Sequence, residues 1–327
     1  MTPERPHALA LLSGSLDSQL AACLLREQGV AVHGLFFSSP FIRSERALEA
    51  GAQLDFPVEE IDFTKRMVDV VQRCPALDDV DALTLECHAE MLRCAVEKLE
   101  EFNCGFVCTG EVLNQGSSTQ TEEGLRYTAE CSGAADRILR PLSARCFPET
   151  MPELEHWVSR DQLEAIDGAD NRRQHELAGR FGVDAGTPDA GESRLHDSVF
   201  TDRLADLRVH EGLEGRRALE LLGLGHHFRL GPVTKLVLGR TQEEKAELEG
   251  NVELYDLILH SDEIPGPIGL LPIIATEDQV RFAASICARF SDVATDGTAP
   301  ILIRSSRSTR QVEVRPAAQE EVARVEI

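Results

Sequence analysis

Residues 7–20, HALALLSGSLDSQL, constrain the fold of this chain more than any other segment. An apolar run (residues 8–12) enters a tight Ser-Gly-Ser turn, and an apolar-periodic stretch (residues 20–25) follows. That is the order of a strand, a short glycine loop and a helix N-terminus. The first N–H groups of a helix lack intrahelical partners and carry the positive end of its dipole, so such a junction suits a phosphate anion. Gly14 lets the backbone come close to that anion, and Ser13, Ser15 and Ser18 each offer a hydroxyl. The segment is neither a GxxxxGK[ST] loop nor a GxGxxG fingerprint. On the loop alone, a nucleotide site and an ordinary serine N-cap both stay open.

The rest of the first half repeats the alternation. Strands are predicted at 30–37, 58–63 and 105–109, and helices at 43–54, 67–72 and 83–101. Gly29 ends the first helix, and Ser39-Pro40 stops the second strand. Alternating strands and helices predict an α/β fold with a parallel sheet and helices on both faces, in which ligands lie outside the carboxyl ends of the strands. Residues 13–18 and Thr109-Gly110-Glu111 fall at such ends, and so does Phe37, the expected adenine shelf. Glu111 reads equally as a site carboxylate or a solvated loop residue, and Arg140 and Arg145 as phosphate partners or ion-pair partners. A polar loop is expected at 114–132, a short strand at 138–143, helices at 153–166 and 171–180, and a linker at 183–198.

A second unit starts near Val199. Helices are predicted at 200–209, 217–222, 243–248 and 279–290, and strands at 226–230, 235–239 and 252–259, with a closing hairpin of 301–304 and 312–315. A length of 327 residues accommodates two domains, drawn at 1–195 and 196–327, the second a smaller α+β module.

The net charge is −23, and the only lysines are Lys65, Lys98, Lys235 and Lys245. Such a balance does not by itself predict a nucleic-acid binder, because affinity for phosphates comes mostly from cations. The densest local exception is Arg229, Lys235 and Arg240 around Phe228, a ring read as core on alternation and as a base-stacking platform if exposed. Arg304, Arg307, Arg310 and Arg315 supply a second cationic edge. His226-His227 is a weak metal signal, and no metal centre is expected from protein ligands. Nine scattered cysteines read as reduced thiols, no 18-residue apolar run is present, and the first residues do not read as a signal peptide; a cytoplasmic location without a membrane span is expected.

Longer blocks carry a family resemblance. ALALLSGSLDSQLAACLLREQGVAVHGLFFSSPF, TLECHAEMLRCA, FVCTGEVLNQGSSTQ, LRPLSAR and HHFRLGPVTKLVLGR are similar, in order and spacing, to blocks of bacterial PP-loop ATP pyrophosphatases that form 2- or 4-thiouridine in tRNA. In that group a domain like the RNA-binding domain of NFACT proteins follows the PP-loop domain. The resemblance implies a PP-loop fold of the adenine nucleotide alpha hydrolase type (HUP). It implies ATP on Leu12, Ser13, Gly14, Ser15, Asp17, Ser18, Phe37 and Gly110, with Asp17 holding Mg²⁺. A uridine oxygen would be adenylated with release of pyrophosphate, and sulfur would then displace AMP. It implies tRNA or another RNA as partner, with Arg229, Lys235 and Arg240 as the binding cations, and a sulfur-donor protein.

The chain departs from the pattern in two places. The second glycine of the family's SGGxDS loop is Ser15, where a Cβ is expected to restrict positive φ and crowd a phosphate. The Cys-x-x-Cys-His block reads Thr84-Leu85-Glu86-Cys87-His88, and the later Gly-Gly-Cys block reads Gly191-Glu192-Ser193. One remaining thiol, Cys87, does not anchor a three-cysteine iron–sulfur cluster, so no cluster is expected and Cys87 is the single sulfur candidate. Cys131, in the expected polar loop, is a spare thiol. The alternatives to a thiouridine-forming enzyme are a nucleotide- or RNA-binding pseudoenzyme, and a PP-loop enzyme with a different substrate.

Overall fold

The structure is a computed structural model, which describes residues 7–42, 45–74, 77, 79–115, 118–185, 193–293 and 297–327. Contacts divide the chain into two units, Met1–His196 and Asp197–Ile327.

The first unit runs β1 (His7–Leu11), α1 (Leu16–Glu27), β2 (Val32–Ser38), α2 (Glu45–Leu54), β3 (Val58–Asp62), α3 (Thr64–Arg73), α4 (Val80–Lys98), β4 (Cys104–Cys108), α5 (Glu122–Cys131), β5 (Ile138–Leu139), α6 (Met151–Leu154) and α7 (Arg172–Phe181). The five strands form one parallel sheet in the order β3-β2-β1-β4-β5. β1 lies at its centre and is buried through Ala8, Leu9 and Ala10, as a strand covered on both faces requires. The edge strand β3 keeps Glu59 and Glu60 exposed, and charge blunts an open edge. The order reverses at β1: the chain leaves it for β2 on one side, and β4 joins on the other. The loops after β1 and β4 therefore flank the crevice where open α/β sheets bind ligands.

Two expectations fail locally. The loop expected at 114–132 contains α5, because Thr121 caps a good helical run, its side chain accepting from Gly124 N at 3.1 Å. The helix expected at 153–166 is cut to the four residues of α6: His156 adopts φ +57°, which ends the turn, and Trp157 instead stacks on Phe106 in the core at 6.3 Å.

The second unit runs α8 (Ser198–His210), α9 (Arg216–Leu221), β6 (His226–Gly231), β7 (Thr234–Gly239), α10 (Gln242–Gly250), β8 (Asp256–His260), β9 (Ile268–Pro272), α11 (Glu277–Arg289), β10 (Ala299–Arg304), β11 (Thr309–Val314) and α12 (Gln319–Ala323). Its six strands pair antiparallel in the order β11-β10-β8-β9-β7-β6. Phe228, Leu236, Leu259 and Leu271 pack one face against Ala283, Ala284 and Ile286 of α11, while Val237, Ile258 and Leu270 meet Leu221 and Leu248 on the other. Strand β9 was not anticipated; its Gly-Pro-rich approach, residues 265–267, hides the apolar run. Among the described residues, no helix is long and apolar enough to cross a membrane.

Candidate functional site

The loop between β1 and α1 takes its shape from two residues. Gly14 sits at φ +83°, a conformation that a side chain disfavours. Ser15 is the N-cap of α1, at φ −66° and ψ 157°, and its Oγ accepts from Ser18 N at 3.3 Å. The expectation that Ser15 strains the backbone is therefore corrected: this position is extended, and any residue adopts it. What the serine changes is hydrogen bonding. Its Oγ occupies the Ser18 N–H, while Ser13 Oγ donates to it at 2.9 Å and Ser18 Oγ donates to the Ser15 carbonyl at 2.9 Å. Gln19 Nε2 braces the turn from below through the Gly14 carbonyl at 3.1 Å.

The loop after β4 closes the other wall. An added Cβ on Gly110 would lie 2.4 Å from Ser18 N and 2.6 Å from Asp17 C, so two backbones meet there without room for a side chain. Asp17 lies in the first turn of α1, where Gln115 Nε2 donates to its Oδ2 at 2.8 Å. Leu12 is a core side chain just before the loop, and its N–H donates to the Leu35 carbonyl at 2.9 Å. Phe37 is not an open shelf: it is buried, with its ring packed on Phe63 at 4.6 Å between centroids, where β3 ends beside β2.

A second cluster adjoins this wall. Thr84, Cys87 and His88 lie three and four residues apart on α4 and so share a helix face. His88 Nδ1 faces Glu111 Oε1 at 3.8 Å, and Glu111 Oε2 receives Arg140 Nε at 2.9 Å and Thr109 Oγ1 at 3.0 Å. Burial alone would raise the Glu111 carboxyl; Arg140, His88 and Thr109 together outweigh it and hold the carboxyl below the usual range. The His88 imidazole is pushed down by burial, with Glu111 opposing and His196 and Arg140 assisting, which favours the neutral ring. Of the open readings, Glu111 is thus not a solvated loop carboxylate, and Arg140 is its ion-pair partner.

Thr84 and the turn that follows Ser193 meet here. Ser193 bridges to Ile42, and the following turn brings His196 Nε2 to 3.4 Å from Thr84 Oγ1. Gly191 and Glu192 lie outside the described residues. Cys87 is buried, and burial pushes its thiol up to about 12, so it stays protonated at neutral pH. Cys131 belongs to the last turn of α5, not to a loop, and its carbonyl is held by Arg93 at 3.0 Å. His196 was missed in the sequence: it stands 108 residues beyond His88, and only the tertiary fold joins them.

In the second unit the expected RNA-facing trio does not form one surface. Arg229 and Lys235 are cross-strand partners on β6 and β7, and α8 places carboxylates over them. Arg229 is held by Asp206 at 3.0 Å and Glu211 at 2.8 Å, while the buried Lys235 Nζ lies 3.4 Å from Glu211. Two adjacent, largely buried cations need such partners. Arg240 remains exposed, over the Phe290 ring at 5.2 Å. Phe228 is core, with no exposed surface.

His227 is also fully buried, with Nε2 at 3.0 and 3.1 Å from the carbonyls of Leu221 and Leu224, which accept its proton. Burial first, then Arg203 and Lys235, keep it neutral well below the ordinary value. The unfolded chain takes up a proton near pH ~6.5 and the folded chain does not, so stability is lost as pH falls below that value. Thermal melts between pH 7.5 and 5.5 are expected to show a loss of up to about 1.4 kcal/mol per pH unit from this group. His227→Gln should lower stability at pH 7.5 but remove that slope; an unchanged slope would exclude His227 as its source.

Residues 4–145 match the ThiI family, described as thiamine biosynthesis protein (ThiI), and residues 225–325 match the NFACT protein RNA binding domain. The chain joins a ThiI-like unit to an NFACT-R-like unit. A probable tRNA sulfurtransferase of Clostridium perfringens (strain 13 / Type A) is 32% identical over 146 residues, which cover 42% of this chain and 36% of the relative. One from Clostridium acetobutylicum is 31% identical over the same length, with the same coverage. The chain spans about a third of the length of these curated relatives. A solved 4-thiouridine synthetase–RNA complex with bound ATP is 18% identical and covers 54% of this chain and 52% of that one, with a TM-score of 0.37.

Proposed function

We propose that this chain is an ATP-dependent RNA-modifying enzyme that adenylates a nucleobase oxygen, with tRNA as the substrate class and pyrophosphate as the first product. The observation that carries this reading is the close seat of Gly110 on the backbone of Asp17 and Ser18, which brings the loop after β4 against the first turn of α1 at the switch point of the sheet. The names of the relatives supply the substrate class.

The chemistry of the donors fits a nucleotide. The loop and the first turn of α1 present backbone N–H groups and serine hydroxyls to the phosphates, and Asp17 offers a hard carboxylate oxygen for Mg²⁺. Bound there, Mg²⁺ would neutralise charge on the phosphates as the leaving pyrophosphate forms. The exposed Arg240 and the exposed hairpin residues Arg304, Arg307 and Arg315 are among the cations available to an RNA backbone in the second unit. No membrane partner enters this reading, and a cytoplasmic location accords with it.

Calorimetry with ATP and Mg²⁺, followed by pyrophosphate release with total tRNA, tests the reading. Binding should be lost in Asp17→Ala, and release should require both ATP and tRNA. Binding without release would favour the pseudoenzyme, in accord with the hydrogen bonds that the loop serines make to one another. Ser15→Gly is expected to tighten ATP binding about 3- to 10-fold, because it frees the Ser18 N–H for a phosphate oxygen. The loss of the serine cap costs only a few tenths of a kcal/mol when glycine replaces it. An unchanged or weaker affinity would mean that this N–H is not a phosphate donor.

A further inference from the structure

We propose that the corner formed by Thr84, His88, Glu111, Arg140 and His196 is an imidazole base site that delivers ammonia, in place of cysteine-borne sulfur, to the adenylated base. The inference rests on the adenylation reading above and specifies its second step.

Three observations carry it. First, the positions that would hold sulfur no longer do so: Thr84 and Ser193 have no thiol, Thr84 Oγ1 is paired with His196 Nε2 at 3.4 Å, and Cys87 is a buried, protonated thiol. Second, what occupies the corner is an oriented acid–base set. Glu111 Oε1 lies 3.8 Å from His88 Nδ1, so the carboxylate favours a ring proton on that side and leaves Nε2 as the basic nitrogen of the proposed site. Arg140 keeps that carboxylate ionised, and the His88 side chain retains 34% of its surface, so the base is reachable. Third, Glu111 directly follows Gly110, the residue seated on the phosphate loop, so the base set and the nucleotide loop share one wall of the crevice.

The nucleophile follows from what such a set can do. Hydrosulfide is already an anion near neutral pH and needs no base. Ammonia must lose a proton as it adds to carbon, and a neutral imidazole backed by a carboxylate accepts it. The nitrogen lone pair forms a C–N bond at the carbon that carries the adenylated oxygen. The C–O bond to AMP breaks, AMP leaves with the electron pair, and the surplus N–H proton passes to His88 Nε2. The product carries an amino group where the carbonyl stood, with no change of oxidation state. His88 is the catalytic base; Glu111 and Arg140 position it.

The test incubates the full chain with ATP, Mg²⁺ and total tRNA. One arm contains ¹⁵N-ammonium chloride and the other ³⁵S-sulfide, and each measures pyrophosphate and label in the digested nucleosides. Expected are pyrophosphate release, ¹⁵N in a nucleoside, and no ³⁵S. In His88→Gln, at a side chain exposed enough to be replaced without disturbing the core, ¹⁵N incorporated per pyrophosphate released should fall at least ~100-fold, the scale of a lost general base. Pyrophosphate release with ³⁵S incorporated, or with neither label, overturns the proposal and leaves adenylation standing. An unchanged ¹⁵N-to-pyrophosphate ratio in His88→Gln removes His88 as the base. Absence of pyrophosphate release defeats the adenylation reading itself, and this inference with it.

Discussion

Gly110→Ala is expected to weaken ATP binding ~100-fold while leaving the second unit untouched. The added methyl would stand 2.4 Å from Ser18 N and 2.6 Å from both Asp17 C and Ser18 Cα. These are backbone atoms of the first turn of α1, whose next residues, from Leu20 to Leu25, are core. The turn cannot retreat without repacking that core, so the cost belongs near the upper end of the range for overpacking, about 3 kcal/mol. Relief comes from moving the loop, and a loop moved from its seat no longer presents its N–H groups together. Calorimetry with ATP and Mg²⁺ measures the loss, and melting of the variant separates it from general unfolding. Wild-type affinity in Gly110→Ala would show that the phosphates do not lie on this wall, and the proposed site would fail with it.

The same residues show what the sequence displays and what it conceals. The α/β class was legible because β1 and β4 are short apolar runs bounded by a glycine turn or a polar loop, and the long α4 carries a clear helical pattern. The NFACT-R-like and ThiI-like blocks were legible because they are contiguous. Side-chain destinations were less so. Arg229 and Lys235 look like an RNA face until α8 brings Asp206 and Glu211 over them, from 23 and 24 residues away. Phe37 looks like a shelf until Phe63 covers it. Ser15 looks like a backbone defect, yet its extended φ makes it an ordinary cap. For Arg229, Lys235 and Phe37 the partner came from another element; for Ser15 the local conformation itself was misjudged. His196 is the extreme case: no local pattern marks it, and its meaning depends on the turn after Ser193 reaching α4.

Arg140→Met carries the other large effect, on stability. The Arg140–Glu111 pair is nearly sealed, with side-chain exposures of 8% and 15%, and Arg140 Nη2 also donates to the Leu125 carbonyl at 3.0 Å. Removing the guanidinium leaves a buried carboxylate without its counter-charge and a carbonyl without that donor, a change that costs about 3–5 kcal/mol. For a unit of this size the melting temperature should fall by ~6–20 °C. The pH dependence identifies the cause. In the native chain Glu111 is held below its ordinary value, so its contribution is present above the unfolded pKa and lost as pH falls through the folded one. In Arg140→Met, burial acts without the compensating arginine and raises the same carboxyl. Protonation then relieves the variant, and its deficit should shrink as the pH is lowered from 7 toward 5. A second change, Glu111→Leu, made on top of Arg140→Met should restore much of the stability at pH 7, because an apolar pair of similar volume escapes the desolvation penalty of the ion pair. If the single variant melts like the native chain at pH 7, or if its deficit is independent of pH, Arg140 is not what keeps Glu111 ionised. The orientation of His88 by that carboxylate would then need another source.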